Sequence, residues 1–482
     1  MPARTVPGMP RLRTARLLAL AATTLTVCTA AGGTAVPRTP WLAYGRTPDA
    51  QNVSPASFST AAAKALRAVW ETDVGNLITA QPLYAPNVRV GKATRQLLVV
   101  ASDDNAISAL NLGTGRIVWR RSLGPTQPQV CGGQGGIEST PVIDAAAHRI
   151  FVIGGDGRLV ALDLGTGRFV PGWKVPIITR TNVEVVWGAL RIAAGSIYVP
   201  VASWCDTQAP DGAWDGRLVR IGEKTHQIEQ TFDVVPGPKN GGGIWGPGGV
   251  SIDPIDGSVW TATANSVVPK DGGTDERAPL GERVVHLTPD LRVLASVPQL
   301  DTNPTALGDQ GFGSTPVLFK PIGCPAMLAV NSKDSYTYVW RRAAITSAPV
   351  LRMKLGESGR ANTFYAEPTW VPATRTLVVD GVVIPGRSGA NGAIGLRLRT
   401  NCTFRLAWSA SIGGGTQPQP LAAGRVAFLT STKTARVYAI DSQSGRILRT
   451  LKTGSPTYAA PMIAGSFLVL ATADGKVLAF GG

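Results

Sequence analysis

The sequence predicts an all-β fold, an eight-bladed β-propeller of four-stranded antiparallel blades. Three observations predict it. The 482-residue chain holds 56 Gly and 36 Pro but only 16% charged residues, the balance of a chain built from short strands and turns. One phrase recurs along it: a Pro opening an apolar strand, a second strand, an Asp-Gly-type turn, a third strand ending in Ala-Leu-Asp, a Thr-Gly turn, then Trp. No long segment has a 3.6-residue apolar period, which argues against a helical solenoid.

The fullest copy of the phrase is STPVIDAAAHRIFVIGGDGRLVALDLGTGRFVPGW, residues 139–173. Alternation in RLVALD makes a half-buried strand. Asp156-Gly157 suits a tight hairpin, because glycine accepts positive φ. Gly167 after Thr166 turns the chain into an outer strand. Trp173 then buries a large apolar area over the blade edge. Trp119 and Trp408 occupy the same place in their own copies and receive the same structural reading.

Blade openings are expected near Pro82, Pro141, Ala189, Gly249, Pro316, Pro368, Pro420 and Pro461. Their spacing suits propeller blades with loop insertions. The first, second and seventh copies are sharp and the middle ones degraded; a ring of seven follows if one middle copy is not a blade. The last copy stops at Gly482 without a fourth strand. Residues 65–75, ALRAVWETDVG, have the form of an orphan fourth strand with its own Trp70. Residues 61–75 are therefore expected to complete the last blade and to shelter sheet edges. The propeller is assigned to residues 61–482, and residues 36–60 to an irregular, packed lead-in.

Residues 1–35 read as a secretory signal. Arg4, Arg11, Arg13 and Arg16 precede an apolar run over residues 17–27, and small residues follow through Ala35. The run is too short to span a bilayer comfortably, and no other segment reads as transmembrane. Cys28 follows Leu-Thr-Val, which resembles a lipoprotein cleavage box and offers lipid anchoring as an alternative, although Val27 stands where a small residue is usual. The protein is expected outside the cytoplasm, secreted or in the cell envelope.

Four cysteines remain: Cys131, Cys205, Cys324 and Cys402. An even number in an exported chain suggests two disulfides. Three pairings are open; sequence order and blade adjacency favour Cys131 with Cys205 and Cys324 with Cys402. Without a Cys-x-x-Cys pair, and with three His in all, no zinc site is expected, and no Cys-x-x-Cys-His segment offers haem. Residues 1–40 carry five Arg and no acid, so a formal charge of +16 becomes +11 without them. The basic residues are scattered, which suits a solvated surface attracted to anionic envelope polymers. No nucleic-acid motif is present, and a monomer is expected.

Over roughly residues 60–482 the chain resembles the quinoprotein-type propellers. These include the pyrroloquinoline quinone (PQQ) alcohol dehydrogenases and non-enzymatic relatives such as the outer-membrane assembly lipoprotein B. Two stretches of the fourth repeat carry a sharper resemblance. GGGIWG at 241–246 is similar to the Gly-Gly-Gly-x-x-Trp-Gly of the dehydrogenases, whose Trp is the floor under PQQ. TATAN at 261–265 is similar to their Gly-x-Gly-Asn, whose Asn binds calcium. The resemblance implies a floor role for Trp245 and a calcium role for Asn265. NSKDSYTYVW at 331–340 sets Lys333 where those enzymes place a cation near the quinone carbonyls, and its charge would stabilise a quinol oxyanion. Asp206 stands near their calcium-ligating Glu of the third blade.

The chain also departs from that pattern. The enzymes often have two adjacent Cys where Cys131 is followed by Gly132. Their catalytic Asp falls on Thr288, which is no carboxylate base; Asp290 or Glu282 match only after a local shift. Each residue has a plainer role as well. Trp245 suits an aromatic filling an empty tunnel, Asn265 a turn residue, Lys333 the entry to a hairpin. Calcium needs six to eight oxygens, and the pattern names only one or two donors. Glu138, Asp309 and Glu367 precede blade openings and either line a polar pocket or cap strand ends. Two functions follow. One is an exported binding or scaffold module of the cell envelope, meeting an envelope protein or an anionic cell-wall polymer and retaining a quinone-type pocket. The alternative is a PQQ- and calcium-dependent dehydrogenase of an alcohol or sugar.

Overall fold

The computed structural model describes residues 39–482, apart from 205–213, 237–240, 266–267, 271–272, 276–279, 301–310, 334–335, 356–365, 384–390 and 414–417. The signal segment, Cys28, Cys205, Asp206 and Asp309 lie outside the described residues.

Blade one sets the pattern. Leu83–Val90, Ala93–Ser102, Ala106–Asn111 and Ile117–Ser122 pair in sequence order, each antiparallel to the one before. The inner strands of the next seven blades are Val142–Asp144, Arg191–Ala193, Ser251–Ile252, Val317–Phe319, Thr369–Val371, Leu421–Gly424 and Met462–Ala464. Every inner strand starts within two residues of an opening read from the sequence, and the eight-bladed all-β architecture holds. Burial explains the sharpness of the phrase. Second and third strands such as Leu97 to Ala101 and Ala106 to Leu110 are buried on both faces, so they read as apolar runs.

The Thr-Gly turn and the Trp of the phrase belong to one joint. The indole of Trp119 in blade one donates to Leu164 O of blade two at 3.1 Å. A Cβ on Gly167 would come within 2.5 Å of that ring. Trp408 of blade six repeats the joint on blade seven, donating to Ser442 O at 2.8 Å over Gly445. Trp70 does so on blade one, donating to Leu112 O at 2.9 Å over Gly115. Each of these glycines has a positive φ as well as a ring against it, so both the turn and the docking demand glycine. Blade three has His226 near this place, and there the imidazole packs on Trp173 with centroids 4.2 Å apart.

Blade eight takes its fourth strand from far away in sequence. Arg67–Asp73 runs antiparallel to Lys476–Gly481, and Lys476 Nζ meets Glu71 at 2.8 Å across this seam. Before it, within the stretch read as an irregular lead-in, Val53–Phe58 forms a strand parallel to Leu421–Gly424, the fifth member of blade seven. A short helix, Thr60–Ala65, links the two strands; the Ser59 side chain caps it by accepting from Ala62 N–H at 3.0 Å.

Cys324 and Cys402 are disulfide-bonded, in the favoured pairing, and tie a turn of blade five to a turn of blade six. The bond sits in an apolar cluster with Phe319, Trp370 and Leu377. Cys131 is also disulfide-bonded; its expected partner, Cys205, is outside the described residues. Among those residues no helix is long and apolar enough to cross a membrane.

Candidate functional site

The site forms at one end of blade four. Gly243 bridges to Ala264, and Ala264 bridges on its other side to Gly311. Gly311 also accepts from Lys333 N–H at 2.9 Å and from the Ser332 hydroxyl at 3.0 Å. Four distant stretches of chain are thereby drawn to one point, and three of them deliver a residue singled out from sequence.

Trp245 comes first. Its six-membered ring rests on the Cα of Gly243, where an added Cβ would lie 2.5 Å from the ring edge. Its indole N–H donates to Ser203 O at 3.1 Å, which fixes the ring about its long axis. Asn265 follows the second strand in a left-handed conformation, φ +53°. That conformation ends the strand, and the Asn265 carbonyl accepts from Gly242 N–H at 3.1 Å. Lys333 completes the group. Its ammonium lies 5.1 Å from the centre of the Trp245 ring and 3.5 Å from Asn265 Oδ1. Asn265 and Lys333 are each 8% exposed. A desolvated ammonium near an indole face gains about 2 kcal/mol from the ring quadrupole. Trp245, Asn265 and Lys333 therefore meet, although 20 and 68 residues separate the neighbouring pairs.

Among the described residues, blade three holds a buried carboxylate beside this region that the sequence pattern does not single out. Glu184 is buried and pairs with Arg217 at 3.1 Å, and it accepts from Asp215 N–H at 3.2 Å. It stands in a two-residue strand, Glu184–Val185, opposite Ser203, the residue that holds the Trp245 indole. Glu184 lies outside the repeated phrase, so only its proximity to blade three could have pointed to it. Together with Gln127, Glu138 and Trp204 it lines a pocket between blades two and three. Burial, then the adjacent Asp103 carboxyl, push Glu138 well above the usual carboxylate range, while the Thr79 hydroxyl donates to it at 3.1 Å. Glu367, fully buried, belongs to a different place: it accepts from Tyr44 Oη at 2.8 Å and from Gly248 N–H at 2.8 Å.

Thr288 does not belong to the site. The third strand of blade four, Arg283–Leu287, has its Arg283 end beside Thr263 and its Leu287 end beside Val259. Thr288 and Asp290 form the turn beyond Leu287, where Thr288 Oγ1 donates to Asp290 Oδ1 at 2.5 Å. Five residues of strand put that turn about 17 Å from the Asn265 end. Among the described residues a carboxylate at the Asn265 end is Glu282, buried and in a left-handed conformation, with its carbonyl held by Gln299 N–H at 2.9 Å. The phrase is degraded in this copy, so its alignment sets Thr288 at the end of the strand away from Asn265. For a metal the described residues offer little: no group of three or more His, Cys, Asp or Glu among them is arranged to hold an ion.

Eight four-stranded blades built on this repeated phrase make a PQQ-repeat propeller, quinoprotein-like in its fold. The chain belongs to the family described as outer membrane protein assembly factor BamB, whose model matches residues 20–207 and 393–481. A polyvinylalcohol dehydrogenase of a Pseudomonas species is 25% identical over 392 residues, 73% of this chain and 58% of that one. The dehydrogenase subunit of a quinone alcohol dehydrogenase from Gluconacetobacter polyoxogenes is 26% identical over 213 residues, 42% of this chain and 26% of that one. The chain thus spans less than two thirds of the length of these relatives.

Among solved structures, a quinohemoprotein alcohol dehydrogenase of Pseudomonas putida HK5 superimposes with a TM-score of 0.71 at 15% identity, covering 92% of this chain and 80% of that one. BamB of Moraxella catarrhalis gives 0.57 at 13% identity, covering 87% of this chain and all of that one. At these identities the likeness is one of fold.

Proposed function

We propose that the site at Trp245 binds a flat quinone-type cofactor, PQQ, and that the protein works outside the cytoplasm as a dehydrogenase of an alcohol. One observation carries this reading: the Lys333 ammonium stands over the Trp245 face and against Asn265 Oδ1. An immobilised indole is a stacking surface, and a buried cation beside it recognises an electron-rich, oxygen-bearing ring edge. PQQ bound there would supply the acceptor for the two electrons leaving the alcohol. Trp245 would set the plane of the ring and exclude water from one face. Lys333 would hold its positive charge near oxygens that become more negative on reduction, and Asn265 would keep that ammonium in place.

The residues fit the quinone better than they fit calcium. Among the described residues Asn265 supplies one amide oxygen and Glu282 one carboxylate at that end, whereas calcium takes six to eight oxygens. No step is therefore assigned to calcium.

Purified protein mixed with PQQ, with and without calcium, and then desalted should keep the quinone absorbance. Trp245→Ala should lose it, and retained quinone should reduce a dye when alcohols, including polyvinyl alcohol, are supplied. No retention at micromolar PQQ would overturn the reading. The second reading is an envelope binding module, supported by the BamB family match. It expects no quinone retention and salt-sensitive cosedimentation with anionic cell-wall polymer.

A further inference from the structure

The stretch from Trp41 to Val53 touches all eight blades. Trp41 exchanges both backbone hydrogen bonds with Tyr84 of blade one, at 2.8 Å each. Leu42 O accepts from Ile143 N–H of blade two at 2.8 Å. Arg191 of blade three donates to Tyr44 O and Thr47 O. Pro48 O accepts from Ile252 N–H of blade four at 2.9 Å and Asp49 O from Leu318 N–H of blade five at 3.1 Å. Tyr44 Oη reaches Glu367 at the opening of blade six. The Asn52 carbonyl accepts from Ala422 N–H of blade seven at 3.0 Å, and its amide is 3.5 Å from Pro461 O of blade eight. Contact with every inner strand is possible only along the axis of the ring. Trp41, Tyr44, Ala50 and Asn52 are buried, so this stretch fills that axis.

The filled end is not the Trp245 end. In blade four the chain runs from Gly243, at the site, down to Ser251–Ile252, whose amide meets Pro48 O. The loop between them, Gly246 to Val250, is clamped from the axial stretch twice. Glu367 binds Gly248 N–H with one carboxylate oxygen and the Tyr44 hydroxyl with the other. Arg191 binds Val250 O at 3.0 Å through Nε and Tyr44 O through Nη1. Ala189 N–H adds a bond to Pro247 O at 2.9 Å.

We propose that this axial stretch is a plug: it seals one end of the channel and, through Tyr44, Glu367 and Arg191, sets the height of the Trp245 floor. Ligands then reach the floor from the opposite mouth only. Tyr44, Glu367 and Arg191 are positioning residues, acting on the site through the 246–250 loop. The part concerning cofactor binding rests on the function proposed above; the part concerning the floor does not.

The test uses the full protein labelled with 5-fluorotryptophan, the Trp245 fluorine resonance being assigned by its loss in Trp245→Phe. Glu367→Ala leaves the Gly248 N–H and the Tyr44 hydroxyl without their acceptor, and should shift or broaden the Trp245 resonance and speed Gly248 amide exchange. Glu367→Gln keeps an acceptor for Gly248 and should restore both. Tyr44→Phe removes only a hydroxyl, leaves a foldable chain if Glu367→Ala does not, and should move the same resonance. PQQ retention, read separately, should weaken at least tenfold in Glu367→Ala and recover in Glu367→Gln. A Trp245 resonance unmoved in Glu367→Ala and Tyr44→Phe, whatever the loss of stability, would overturn the plug's hold on the floor. A moved resonance with no quinone retention in any form would leave the plug standing and remove the cofactor reading.

Discussion

Gly243→Ala is the most direct perturbation of the floor. Gly243 does not have a positive φ, so alanine is acceptable to the backbone and the effect is steric alone. The new methyl would lie 2.5 Å from one carbon of the Trp245 ring and 2.6 Å from the next. Carbon atoms in contact rest near ~3.7 Å, so the ring must lift or slide by about 1 Å. Crowding of this kind costs about 1–3 kcal/mol of stability. The consequence for a ligand stacked on the ring is larger, because a displacement of about 1 Å can cost about a hundredfold where geometry matters. Chemical denaturation should report the first effect and PQQ retention the second. The fluorine resonance of Trp245 reports the ring without any ligand. Gly113→Ala is the control, since its methyl would meet nothing closer than 3.5 Å. If Gly243→Ala left the Trp245 resonance and the quinone affinity as in the parent, the indole would not be seated on Gly243 and the floor would need another residue.

Two further outcomes follow from named contacts. The Cys324–Cys402 bond closes 78 residues of chain, worth up to about 4.5 kcal/mol by loop entropy; replacing both residues by Ser should lower unfolding free energy by a few kcal/mol, and a loss below about 1 kcal/mol would refute the estimate. Glu138 has a raised pKa, so the native state holds a proton that the unfolded chain gives up near pH 4.5; the stability from it is complete below that pH and falls as pH rises through the raised value. Glu138→Gln cannot ionise and should flatten that decline in a denaturation series above pH 4.5, and superimposable pH profiles would refute the assignment.

Much of the fold is legible because it is local and repeated. A Pro at six of the eight openings, an Asp-Gly turn and a docking Trp each have a local physical reason, and the sharp copies reinforce one another. Trp245, Lys333 and Asn265 stood out for the opposite reason: the phrase does not require them, and they gather at one point. What stayed hidden is long-range or falls between copies. Nothing near Tyr44 announces Glu367, 323 residues away. Glu184 finds Arg217 by a loop that follows no period. Thr288 misled because a degraded copy preserves strand character without preserving which end of the strand faces the site.

The seam between Arg67–Asp73 and Lys476–Gly481 has a consequence in time. Roughly 400 residues separate its two sides. A chain made at about 5–20 residues per second keeps the earlier strand waiting tens of seconds for the later one. Throughout that interval it is an unpaired edge in a crowded cell, where edges recruit one another into aggregates. Its own composition protects it: Arg67, Glu71 and Asp73 place both signs of charge on a strand that stays largely exposed even in the finished ring. In-register parallel pairing of the waiting strand with a copy of itself would set Arg67 on Arg67, Glu71 on Glu71 and Asp73 on Asp73, each a repulsive pair.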